Sequence, residues 1–170
     1  MSKQILYPGF LVRAVSLLVD LFLISLIIAP INQWLNPFIF KKIFAEFLYK
    51  NNITSVDLNA MVELFKDTNF QSQVVFNDFI LFIFLINLAY IIFFFVYLVI
   101  MQTIYSYSFG QKLLALKIVD YKTFEKASMW QIINRSIFIW LGLISLPVVI
   151  FSKQKRGLHD IISSTVVIKR

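Results

Sequence analysis

Two stretches of the chain stay predominantly apolar for about six helical turns. Phe10–Ile31 reads FLVRAVSLLVDLFLISLIIAPI and holds two charges, Arg13 and Asp20. Phe79–Met101 reads FILFIFLINLAYIIFFFVYLVIM and holds none. At roughly 1.5 Å per residue, each is long enough to cross a ~30 Å hydrocarbon core. They predict two transmembrane helices. The first is not patterned as a cleaved signal peptide: its apolar run is long, carries internal charges and lacks a small-residue cleavage site. Pro30-Ile31-Asn32 reads as its stop.

A different periodicity marks two shorter segments. Leu114–Asp120 (LALKIVD) and Ser164–Lys169 (STVVIK) are β-branched and roughly alternating, which predicts strands. Isolated strands leave backbone groups unpaired, so the two are expected to pair with each other. Pairing puts residues 114–120 and 164–169 on one side of the membrane. The third apolar stretch, Ser136–Phe151, lies between them. Its 16 residues include Gly142 and Pro147 and fall short of the ~20 that one crossing needs. A re-entrant hairpin turning near Leu146-Pro147 satisfies both constraints; a plain third span is the alternative.

These patterns give a mainly α, polytopic membrane protein. It has two full transmembrane helices, a third short re-entrant or spanning segment, and a small cytoplasmic β-pair. The expected layout is 10–31 and 79–101 as spans, 32–78 as an extracytoplasmic connector and 102–135 as a cytoplasmic basic segment. Residues 136–151 form the third segment, and 152–170 form a cytoplasmic tail. Within the connector, Phe38–Tyr49 reads as a helix lying on the membrane. Thr54-Ser-Val-Asp57 reads as a capping box opening a helix through about Phe65. A loosely structured loop is the alternative for the connector.

Composition sharpens this picture. Hydrophobic residues make up 59% of the 170, there is no Cys, and there is one His. A disulfide framework and thiolate chemistry are excluded, and so is a multi-histidine metal site within one chain. The net charge of +7 fits the excess of Lys and Arg that marks cytoplasmic segments better than it fits nucleic-acid binding. Eleven Lys and Arg residues fall in the lead-in, the 102–135 segment and the tail, against four in the connector. That bias puts both termini in the cytoplasm.

Candidate chemistry sits where charge is expensive. Asp20 lies mid-span, where a carboxylate costs about 2.5–3.5 kcal/mol on insertion scales. Arg13 and Ser16 share its helix face, making a polar stripe. Arg13 is expected to snorkel to the interface. Asp20 is expected to find a partner elsewhere: Arg135 first, with Asn87 as a possible hydrogen-bond donor, or else to be protonated. In the tail, Lys153-Gln-Lys-Arg-Gly-Leu-His159-Asp160 is a basic, headgroup-facing cluster. Gly157 permits a turn there, and Asp160 is expected to cap or to pair with a basic group. His159 reads as a hydrogen-bonded structural residue rather than a metal ligand.

Three segments together resemble the RDD family of bacterial membrane proteins, named for one arginine and two aspartates. They are Phe10-Leu-Val-Arg13-Ala14 through Asp20; Ser108-Phe-Gly110-Gln-Lys112-Leu-Leu-Ala-Leu116-Lys-Ile-Val119-Asp120; and Lys155-Arg156-Gly-Leu158-His159-Asp160 through Val167. The resemblance makes Arg13, Asp20 and Asp160 the name-giving residues and implies a bacterial cytoplasmic (inner) membrane location. Gln111 and Ala115 depart from it, sitting where Lys- or Gly-containing variants are frequent. Some RDD proteins have been proposed to move sodium or protons.

Three functions are compatible with these features. The first is cation or proton transport through a homo-oligomer, with Asp20 as the binding group and Asp160 as a relay. The second is a membrane scaffold or accessory subunit that binds a partner membrane protein or anionic lipid headgroups. The third, an intramembrane enzyme, lacks a catalytic constellation: no Cys, no His pair and no Ser placed beside a His. No cofactor, metal or nucleic acid is expected. Both carboxylates could equally serve only to lock helix packing.

Overall fold

Predominantly apolar sequences form two long helices, α1 from Phe10 to Ile43 and α5 from Phe76 to Tyr105. The computed structural model describes residues 6–139, 148–150, 152 and 154–170. Both helices are long and apolar enough to cross a membrane. Most of their large hydrophobic side chains face outward, including Leu11, Phe22, Leu26 and Phe84. That is the pattern of a helix whose solvent is lipid.

The predicted stop of the first span is wrong. α1 continues through Pro30 and Pro37 for 34 residues, about 51 Å at helical rise. Proline removes one backbone hydrogen bond and crowds the preceding turn, but long apolar helices tolerate it when neighbouring groups satisfy the freed carbonyl. Phe38–Tyr49 is therefore not a separate surface helix. Its first half ends α1, and after a break at Phe44 its second half belongs to α2 (Ala45–Lys50).

Contacts divide the chain into two compact units, one running from Ile24 to Phe93 and the other formed by the residues on either side of it. The Ile24–Phe93 unit contains α2, α3 (Leu58–Lys66) and α4 (Thr68–Gln73). Its core is aromatic: Phe40 packs on Phe44, Phe65, Phe70 and Phe82 with ring centroids 4.6–5.7 Å apart. A helix does start near residue 57, but the predicted box is not what caps it. Asp57 itself is the N-cap, accepting from the Ala60 N–H at 2.8 Å. The reciprocal half of a capping box needs a Glu or Gln three residues on from the cap, and Thr54 has Asp57 there.

The other unit carries the sheet. β1 (Leu116–Asp120) pairs antiparallel with β2 (Thr165–Lys169), in a register from Leu116 opposite Lys169 to Asp120 opposite Thr165. The paired strands are as the alternation predicts. Leu116, Ile118 and Val167 pack on Ala127 and Ile132 in a small core. Three helices surround it: α6 (Phe109–Leu113), α7 (Met129–Phe138) and α8 (Leu158–Ile162). Ser108 with Gln111 and Ser128 with Gln131 form full capping boxes at the starts of α6 and α7. After β1, Asp120 Oδ1 accepts from the N–H groups of Lys122 and Thr123. A bond from the Gln131 side chain, with these two, holds the Asp120 carboxyl below the usual carboxylate range, at about 2. Most of the third apolar stretch, including Gly142, Leu146 and Pro147, lies outside the described residues.

Each strand is entered through a left-handed residue, Ala115 at φ 55° and Ser164 at φ 52°. A Cβ in that region costs roughly 1–2 kcal/mol, whereas glycine adopts it freely. Ala115→Gly is therefore expected to stabilise the protein by about 1 kcal/mol, read as a higher Tm in detergent. An unchanged or lower Tm would show that the Ala115 backbone is not strained in solution.

Candidate functional site

Two buried carboxylates organise the unit that carries the sheet. Asp160 is fully buried at the third position of α8. Its Oδ2 accepts from the Gly157 N–H at 3.0 Å, closing the start of its own helix. The same oxygen pairs with Arg13 of α1, and Oδ1 pairs with Arg135 of α7. Arg135 is 3% exposed, so this ion pair sits in a low-dielectric interior. One carboxylate thus joins three helices that are far apart in sequence.

A second layer holds the ends of this arrangement. Arg135 Nη1 also donates to Thr165 Oγ1 at 3.2 Å, tying α7 to the first residue of β2. Arg156 donates to the carbonyls of Thr165 and Asp160, both at 3.0 Å, and lies 3.9 Å over the Tyr121 ring. His159 Nε2 is 3.5 Å from Asp160 Oδ1. Burial and the charges of Arg135 and Arg13 push His159 well below the ordinary histidine range. It is therefore neutral at physiological pH.

Asp20, 2% exposed on α1, has a different set of partners. Its Oδ1 accepts from the Tyr97 hydroxyl at 2.7 Å and from the Gly110 N–H at 2.8 Å. Its Oδ2 accepts from the Ser108 hydroxyl at 2.5 Å. These donors come from α5 and from the first turn of α6, where N–H groups lack intrahelical partners and favour negative charge. Gly110 makes the approach possible. A Cβ there would lie 2.0 Å from the Ser16 carbonyl oxygen and 3.1 Å from Asp20 Oδ2. Ser16 is also buried, and its hydroxyl donates back to the Arg13 carbonyl at 2.9 Å.

The structure brings Arg13, Arg135 and Asp160 together and gives Asp20 a separate set of partners, and several of the expected pairings are not the ones formed. Asp160 does cap and pair, as expected. Arg13 does not snorkel; it turns inward to Asp160, since a buried ion pair with good geometry competes with hydration. Arg135 is paired with Asp160 rather than Asp20. Asn87 gives nothing to Asp20, because its Nδ2 donates to the Ile83 carbonyl one turn back in its own helix at 2.8 Å. Gly157 has an ordinary φ of −80° as the N-cap of α8, and the left-handed residue nearby is Lys155. Tyr97 was not singled out, and Ser108, Gly110 and Thr165 entered only as parts of the segments that carry the resemblance, with no role assigned. Only Ser108 carried a local signal, the Ser-x-x-Gln pattern of a capping box. Gly110 and Tyr97 matter through contacts nearly eighty residues or more away in sequence.

The model of the RDD family matches residues 7–164, which spans the residues just described except Thr165. The chain is also 31% identical to an uncharacterized protein of Rickettsia prowazekii (strain Madrid E), over 99% of both chains. No solved structure matches.

Removing the Asp160 charge leaves the buried Arg135 and the largely buried Arg13 without their shared carboxylate. Asp160→Asn is expected to cost about 3–5 kcal/mol, read by thermal unfolding in detergent. Adding Arg135→Met should recover part of that loss; strictly additive losses would mean the two side chains do not interact. For His159, the lone histidine, imidazole NMR shifts should stay flat from pH 8 to below pH 6. Because its folded value lies below its unfolded one, the stability it confers is present at neutral pH and falls as pH drops through ~6.5. A titration midpoint near 6.5 in the folded protein would contradict this.

Proposed function

Because the chain belongs to the RDD family, a group of membrane proteins, we propose that it serves as a membrane scaffold or accessory subunit whose basic surface holds anionic lipid headgroups or a partner membrane protein. The observation that carries this reading is the environment of Asp20. Three donors, a phenol, a hydroxyl and a backbone N–H, surround its carboxylate. A cation site presents oxygen acceptors instead. Asp160 is likewise committed to two arginines. Both carboxylates therefore act as internal clamps, which weighs against their carrying a cation or proton through an oligomer.

The outer surface of the same unit supports the lipid half of the proposal. Lys112, Lys122, Lys155 and Lys169 are exposed on this unit, and so are Leu113, Met129 and Trp130. Exposed lysines and an exposed tryptophan on one unit suit an interface with anionic headgroups, each basic residue contributing about 1 kcal/mol. The excess of Lys and Arg in the 102–135 segment and the tail supports a cytoplasmic position for this surface.

The test pairs two measurements on the full-length chain. In proteoliposomes, the wild type is expected to give no sodium- or pH-driven proton flux. By native mass spectrometry it should retain phosphatidylglycerol, with retention falling several-fold in a Lys112→Gln/Lys122→Gln/Lys155→Gln variant. Wild-type flux that disappears in Asp20→Asn, in a protein that still folds, would overturn the scaffold reading in favour of transport.

A further inference from the structure

The Ile24–Phe93 unit holds a groove of about 660 Å³ between the end of α1 and the start of α3. That size falls within the ~300–1,000 Å³ of small-molecule sites. Trp34, Phe38 and Lys41 line one wall at helical spacings of four and three, so they stand on one face of α1. They begin three residues after the apolar run of α1 ends at Ile31. That is the height at which tryptophan and lysine meet lipid headgroups. Trp34 is 81% exposed, a position an indole occupies readily at a bilayer interface. Buried Pro37 and Val56 form an apolar floor.

The other wall brings a charge of opposite sign. Asp57 lines it at the N-cap of α3 and uses only Oδ1 for the cap. Among the described residues, neither Lys41 nor Asp57 forms an ion pair, whereas Lys50 with Glu46 and Lys66 with Glu63 do. One groove therefore carries an uncommitted ammonium, an uncommitted carboxylate oxygen and an apolar floor beside an interfacial tryptophan.

We propose that this groove seats a single phospholipid whose headgroup carries both a phosphodiester and a primary ammonium, as phosphatidylethanolamine does. The phosphate meets Lys41, the ammonium donates to Asp57 Oδ2, and the glycerol end of one acyl chain lies along Trp34, Pro37 and Phe38. Phosphatidylglycerol matches Lys41 but gives Asp57 no cation. Phosphatidylcholine has a cation with no N–H to donate. The occupant is thus specified by two charges together, and this inference does not depend on the scaffold reading.

The experiment uses the full chain with Trp130→Phe and Trp140→Phe, leaving Trp34 as the only tryptophan. It is reconstituted in phosphatidylcholine bilayers with rising fractions of brominated phosphatidylethanolamine, phosphatidylglycerol or phosphatidylcholine. Brominated phosphatidylethanolamine is expected to quench Trp34 at a several-fold lower fraction than the other two. Lys41→Gln and Asp57→Asn should each abolish that preference. Asparagine caps helices about as well as aspartate, so the second variant keeps α3 intact. Equal quenching by all three lipids, strongest quenching by phosphatidylglycerol, or a preference that survives both variants would each overturn the proposal.

Discussion

The buried carboxylate of Asp160 is the constraint on which the sheet-bearing unit depends. Two arginines from different helices converge on it while its own helix is capped by the same group. Burying one charge costs several kcal/mol, and only close opposite charges with further hydrogen bonds offset it. Here the offset comes from Arg13 on α1 and Arg135 on α7, and Arg135 extends the network to Thr165 of β2. Placing any one of these elements therefore places the rest. The two-stranded sheet, too small to be stable alone, takes its position from this network and from the few apolar residues around Ile132.

Asp20 solves a related problem by different means. Among the described residues it is paired with no cation; hydrogen bonds from Tyr97, Ser108 and Gly110 stabilise it instead. Charged acceptors make stronger hydrogen bonds than neutral ones, and a dry interior strengthens them further. The close approach of α6 to α1 that allows this depends on the missing side chain at Gly110. The two aspartates thus differ in chemistry while sharing a result. Each fixes a short helix of this unit against α1.

Much of the architecture was legible because it rests on local pattern. A helix predominantly apolar for six turns, and a β-branched alternating segment, each bury or pair in essentially one way. The long apolar helices and the strands follow from that, and the helix near residue 57 follows from its polar start. The boundaries did not. Pro30 and Asn32 look like a stop by the rules for water-exposed helices, but α1 passes through both prolines. The capping boxes at Ser108 and Ser128 were readable but lay outside the stretches whose hydropathy drew notice.

The sequence by itself determined which residues had to be explained. Arg13 and Asp20 are charges inside an apolar run, Arg135 borders another and Asp160 follows a basic cluster; charges buried without partners cost several kcal/mol. It did not determine their partners. Arg13 and Asp20 are two turns apart on one helix face, yet they reach different carboxylate and donor networks. Only the tertiary structure brings α8 to Arg13 and α6 to Asp20, and the separations of 147 and 90 residues lie beyond any helical or strand periodicity. Pairing at that distance is decided by which packed elements bury each charge with the most satisfied bonds.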